Sequence, residues 1–210
     1  MARIIDYPTL KTAILDWLIR PDLASVVDAW VQLAEDAFNS VLRTRWQETI
    51  IPSFVISGEF TSVPADHLQT REIKFNTDPP SVPMFIGLTD FDTAPLPSTP
   101  TLITLRGNQY QVKAIPTAPI IATVTYWARI PALGVNQTNW LLQRYPSAYL
   151  YTCVTEGCRY LKDDDGAARW YPLAQSALER VISDDQAAKY IGPLVSTTGY
   201  WPDDGAAMTT

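Results

Sequence analysis

The chain changes its hydrophobic period twice. Over residues 1–47 the apolar positions recur every three or four residues. Leu10, Ile14, Trp17 and Leu18 share one helical face, with Thr9 as the expected N-cap. Arg20-Pro21-Asp22 ends this helix, and Pro21 and Asp22 suit the first turn of the next. A second stripe follows in Leu23, Val27, Trp30, Ala34, Phe38 and Val41-Leu42, sustained over about five turns. Asp28, Gln32, Glu35 and Asp36 fall to its polar side. The short connection predicts an antiparallel hairpin.

From about Glu48 the period shortens to two. Residues 49–60 read as one or two strands with a turn at Gly58, and 69–75 as another. Residues 76–83 carry turn chemistry, and Thr89-Asp90-Phe91-Asp92 starts a short helix. Pro95, Pro97 and Pro100 keep the chain extended. Strands at 101–106 and 109–115 flank Gly107-Asn108, a two-residue hairpin signal. Ile120-Ile121-Ala122-Thr123-Val124-Thr125-Tyr126-Trp127 is β-branched and should lie centrally in its sheet.

After Leu133 the helical period returns. Pro146 fits the first turn of a helix through about residue 162. Leu150, Val154, Cys158 and Leu161 share its face, Gly157 allows close approach there, and Tyr149, Tyr151 and Tyr160 flank it. Asp163-Asp164-Asp165-Gly166 breaks this run and sets carboxylates at the next helix's N-terminus, where the macrodipole favours them. That helix, to about 190, should bury Ala167, Tyr171, Ala174, Leu178 and Ile182, and Pro172 should kink it or mark its start. Gly192 and Pro193 end it. The expected class is α+β: a helical bundle (N-terminal hairpin plus C-terminal helix pair) over 1–47 and 131–191, an inserted antiparallel β domain over 48–130, and a flexible, extended C-terminal arm over 192–210.

Composition narrows the function. The chain is 47% hydrophobic but only 18% charged, with formal charge −6 and a pI near 4.7. The charge divides as −1 over 1–47, −2 over 48–140 and −3 over 141–210, so there is no basic arm for nucleic acid. Few charges and many aromatics suit large surfaces buried between subunits. Cys153 and Cys158 lie about 140° apart on a helix and cannot bridge. They read as small buried hydrophobes. No signal peptide or membrane-length apolar run is present, and a reducing cytoplasm is the expected setting, in which the Asn136-Gln137-Thr138 sequon has no meaning.

Candidate chemistry is thin. Asp163, Asp164, Asp165, Asp184 and Asp185 could supply an acid–base pair or a cation site, but they read as solvated helix-terminal carboxylates, and their spacing matches no EF-hand. His67, the single histidine, has no nucleophile elbow near it, and the glycines are scattered without a phosphate loop. No catalytic residue, cofactor or metal is expected. A carbohydrate-binding β module finds weak support in the scattered aromatics.

Tyr7-Pro8-Thr9-Leu10-Lys11-Thr12-Ala13-Ile14-Leu15-Asp16-Trp17-Leu18, Tyr126-Trp127-Ala128-Arg129-Ile130-Pro131-Ala132-Leu133, Asn139-Trp140-Leu141-Leu142, Pro146-Ser147-Ala148-Tyr149-Leu150-Tyr151 and Tyr160-Leu161-Lys162-Asp163-Asp164 resemble phage adaptor (head-to-tail connector) proteins. In kind the chain is similar to the tail tubular protein A family of short-tailed phages, collinearly over about 4–190. The resemblance implies a structural virion neck protein, made in the host cytoplasm. It implies a ring, usually of twelve copies, between the portal and the tail nozzle or tube, with genomic DNA passing without sequence-specific binding and no membrane contact. The arm would clamp the portal, with Tyr200, Trp201 and Pro202 as anchors. Tyr149, Tyr151, Gly157, Tyr160 and Trp170 would pack between subunits. The alternative is an adaptor-like ring that also hydrolyses peptidoglycan, using Glu48 or Glu59 with a partner carboxylate.

Overall fold

The computed structural model describes residues 3–189. Helix α1 spans Tyr7–Leu18 and begins earlier than Thr9 suggested. Asp6 is the N-cap: its carboxylate accepts the Thr9 amide at 3.0 Å, and the Thr9 hydroxyl accepts the Asp6 amide at 3.1 Å. Thr9 is therefore the third residue of a capping box, not the cap. Ile19, left-handed at φ 55°, ends the helix. Pro21 and Asp22 open a 3-10 turn, Pro21–Leu23, while α2 starts only at Val27 and runs to Val41. Asp28 of α2 accepts both the Tyr7 hydroxyl and the Lys11 ammonium at 2.6 Å.

Strand β1 (Glu48–Ile56) leads to β2 (Phe60–Ser62), β3 (His67–Phe75) and the short β4 (Met84–Phe85). Helix α3 (Leu88–Thr93) precedes β5 (Leu102–Arg106), β6 (Gln109–Lys113) and β7 (Ile120–Ala128). The β-branched run is central as expected: β7 lies between β1 and β3, antiparallel to both. Pro52 cannot donate to the ladder, and it sits where the β1 register shifts, on an edge strand. The Gly107-Asn108 hairpin forms, pairing Arg106 with Gln109, with Gly107 at φ 59°. The second sheet runs β2-β6-β5-β4, and its last pair is parallel, Met84 opposite Leu102, so this region is not wholly antiparallel.

The helices resume with α4 (Trp140–Arg144), capped by Asn139, whose side-chain oxygen accepts the Leu142 amide at 2.9 Å. Next come α5 (Pro146–Tyr160) and α6 (Asp164–Lys189). Helix α5 is the common neighbour, touching α1, α2, α4 and α6. Asp163 accepts the Gly166 amide at 2.9 Å and caps α6. Helix α6 runs continuously through Pro172, and the carbonyl that proline leaves free belongs to the exposed Ala168, where water can take it. Its buried positions are Ala174, Ala177, Val181 and Asp185. Of the stripe expected inside, Ala174 alone is fully covered.

Two apolar clusters result. One, around Phe38, Leu141 and Tyr149, joins α1, α2, α4, α5 and α6. The other, around Ile103, Tyr110 and Val124, joins the two sheets. Both cysteines are buried and free, and burial pushes the Cys153 thiol up. Among the described residues, no helix is long and apolar enough to cross a membrane.

Candidate functional site

The helical face formed around α5 gathers most of the described residues singled out from sequence, but it uses them differently from one another. Tyr149 is fully buried. Its ring meets Phe38 edge-on at 5.0 Å, its oxygen accepts the Asn139 amide group at 2.7 Å, and its hydroxyl donates to Glu35 at 3.3 Å. It therefore offers no surface to a neighbour. Gly157 is also used internally. A Cβ there would stand 2.5 Å from Leu18 Cδ1 and 3.3 Å from the Trp30 ring, so the close approach is to side chains of α1 and α2.

Tyr151 and Trp170 stack at 5.9 Å and both meet Trp17, at 5.8 and 5.0 Å. This half-buried triad ties α1, α5 and α6 at one face. Tyr160, 56% exposed, leans on Trp30 at 5.7 Å and keeps one side free. Tyr200, Trp201 and Pro202, with Gly192 and Pro193, lie outside the described residues.

The sequence reading missed a set of buried polar groups at the junction of the two regions. Glu35 was placed on the polar side of α2, yet it is 8% exposed and accepts the Leu133 amide at 2.8 Å as well as the Tyr149 hydroxyl. One turn on, Asn39 accepts the Ile130 amide at 2.9 Å. Gln47 donates to the Ala128 carbonyl at 3.4 Å. Glu35 and Asn39 pair backbone amides beyond the end of β7, and Gln47 reaches the carbonyl of its last residue, as buried amides and carbonyls require. Burial raises the Glu35 carboxyl above its ordinary range, opposed by the Leu133 and Tyr149 hydrogen bonds. A signal was available: Glu35 lies four residues after Val31 and three before Phe38, within the apolar arc.

Asp185 was assigned to solvent and is buried instead. Its carboxylate accepts the Arg45 amide at 3.0 Å and stands 3.8 Å from the Arg45 guanidinium. Asp184 accepts the Tyr145 hydroxyl at 3.0 Å. Together they moor the end of α6, Asp185 to the segment before β1 and Asp184 to the junction of α4 and α5. Nearby, Trp46 lies under the guanidinium groups of Arg45 and Arg144, at 4.8 and 3.7 Å.

The candidate acids are engaged singly. Glu48 pairs with Arg71, and Glu59 accepts the Gln111 amide group at 2.7 Å. Burial lowers the His67 imidazole, which bonds Thr70 at 2.9 Å and meets the Tyr126 ring, tilted, at 5.6 Å. Among the described residues, no group of three or more His, Cys, Asp or Glu side chains could hold a metal ion.

What this arrangement does is hold two regions together and present surfaces, the chemistry of a structural component. The sequence matches the SU10 adaptor protein family over residues 5–197, and the chain belongs to that family. It is thus a phage adaptor protein, a structural component of the virion neck. No curated protein matches the sequence.

Proposed function

We propose that the chain closes into a ring of twelve copies between the portal and the tail nozzle or tube, with genomic DNA passing through its channel. The observation that carries this reading is the family match over 5–197, which spans the helical and the β residues alike. The helical body, 1–47 and 131–191, faces the portal, and the inserted β domain, 48–130, packs on the tail side. The two separate apolar clusters support that division. The arm, 192–210, clamps the portal through Tyr200, Trp201 and Pro202, residue types suited to anchoring an interface.

Two features favour neighbouring copies. Val82, Met84, Phe85 and Leu88 are all exposed within one short stretch, and exposed apolar clusters mark contact sites. Tyr151, Tyr160 and Trp170 keep aromatic surface on the helical face, which Tyr149 and Gly157 brace from within. Twelve copies carry a formal charge of about −72, a scale at which an acidic lumen repels the DNA backbone and keeps it sliding.

The test is the native mass of the purified protein, alone and mixed with its portal. The expected result is a monomer alone and twelve copies per portal ring in the mixture. A monomer that ignores the portal would sink the reading.

A further inference from the structure

The chain carries an excess of acid, yet one end of the helical region gathers arginines that no carboxylate answers. Arg20, Arg45, Arg71, Arg106 and Arg159 each pair with an acid. Arg3, Arg144 and Arg180 are exposed and form no ion pair among the described residues. These three come from different elements: Arg3 precedes α1, Arg144 ends α4 and Arg180 lies on α6.

Two adjoining cavities bring them together around the first turns of α5. The larger, of about 750 Å³, is lined by Arg3, Gln143 and Arg144, and the smaller, of about 370 Å³, by Ser176 and Arg180. Ser147 and Tyr151, one turn apart on α5, line both. These are ligand-sized volumes. No Asp or Glu lines either cavity. Of the carboxylates close in sequence, Asp184 accepts the Tyr145 hydroxyl and Asp6 caps α1. No side chain caps α5, so the positive end of its dipole adds to the field of the arginines. The Arg144 guanidinium lies over the Trp46 ring at 3.7 Å, which fixes its plane and leaves its in-plane donors for an acceptor.

The remaining walls are apolar: Ile4, Ile5, Pro146 and Leu150 in the larger cavity, Leu173 and Ala177 in the smaller. That mixture selects among anions. A nucleic-acid backbone brings charge without apolar side chains, and a free phosphate fills little of the space. A peptide that alternates carboxylates with apolar side chains brings both. We infer that these cavities dock an acidic, partly apolar segment of another protein. Its carboxylates sit on Arg3, Arg144 and Arg180, where guanidinium groups can hold them two oxygens at a time. An aliphatic or aromatic side chain between them fills the wall at Leu150. The inference goes beyond the ring reading and stands without it, since binding is read on the isolated subunit.

Fluorescence anisotropy on the full-length protein tests it, with a short labelled peptide alternating Glu and Leu as the probe. Binding should saturate, and Arg3→Glu with Arg180→Glu should weaken it about tenfold or more. Arg3→Gln with Arg180→Gln, which removes the charge without reversing it, should weaken it by a smaller factor. Both positions are exposed, so the unfolding midpoint should stay at the wild-type value. A peptide alternating Glu and Ser should bind about tenfold more weakly, because it leaves the apolar walls unfilled. Wild-type binding by both double variants would overturn the inference. So would displacement of the probe by duplex DNA, or by inorganic phosphate beyond the effect of sodium chloride at equal ionic strength, since the arginines would then be a phosphate-binding surface. A native mass that doubles with concentration in the wild type and not in the Glu double variant would also overturn it, by giving this face to a second copy.

Discussion

The helical and β regions stabilise themselves by different means. Around α5 the interior is dense, and it is keyed by polar groups that reach across elements: Glu35 to Leu133, Asn39 to Ile130, Asn139 to Tyr149. In the sheets the polar bonds stay within the region, Thr70 with Tyr110 and Tyr126 to Asp66, and much apolar surface stays outside, including Ile50, Val55 and Ile121 on one sheet and Met84 and Phe85 on the edge of the other. One region is specified from within. The other keeps surface that a neighbour can complete. Perturbing the first should cost the subunit stability, and perturbing the second should cost assembly.

The largest expected effect follows from Gly157→Leu. Leucine must displace Leu18 and the Trp30 ring, and overpacking of this kind costs typically about 1–3 kcal/mol, with this site at the upper end or above. Thermal unfolding of the isolated subunit should show a drop of several degrees. An unchanged midpoint would mean the close approach matters only between copies.

Glu35→Ala comes next. It orphans the Leu133 amide and removes a partner of Tyr149, at about 2 kcal/mol in denaturant titration. Glu35→Gln keeps an acceptor oxygen and escapes the cost of burying charge, so it should be far milder. The pH dependence separates the two causes. A carboxyl raised by folding contributes stability that is present below its unfolded value and lost as pH rises through its folded value. Glu35→Gln should therefore gain on the wild type as pH climbs from about 4 toward neutrality. A difference that stays flat across that range would remove burial of the charge as the cause.

Tyr149→Phe deletes only the hydroxyl that Asn139 and Glu35 share, and about 1 kcal/mol is expected. Smallest of all, Met84→Ser should leave unfolding within about 0.5 kcal/mol of wild type, as is usual for exposed positions. Sedimentation with the portal should nevertheless show weaker assembly. Normal assembly would take the β edge out of the interface.

Much of the fold was legible because its strongest signals are local. Ile120–Ala128 reads as a central strand, Gly107-Asn108 as a hairpin and Pro146 as a helix start, and each is found there. The misses are where tertiary contacts decide. Asp6 outranks Thr9 because both act in one capping box. Glu35 lies inside because amides leaving β7 need an acceptor, a demand invisible along α2. The stripe on α6 is only partly covered because the helix turns Ala174, Ala177, Val181 and Asp185 inward, which leaves Leu178 and Ile182 half-buried at the margin and Tyr171 exposed. The parallel contact of β4 has no turn signature at all, since its partner is brought up through α3. The candidate assembly residues were read from residue type and their place beside the α5 seam, which cannot tell a tyrosine that is enclosed from one that leans outward.

The chain enters the β region on β1 and leaves it on β7, and these strands are direct partners, with Glu48 opposite Trp127. Two adjacent strands are a hinge, free to swing about a single line. What stiffens it is α2, whose Glu35 and Asn39 grip the outgoing chain at Leu133 and Ile130 while Gln47 holds Ala128. The outgoing chain is thus fastened at three points within six residues, and swinging the sheets about that line would require breaking these buried hydrogen bonds.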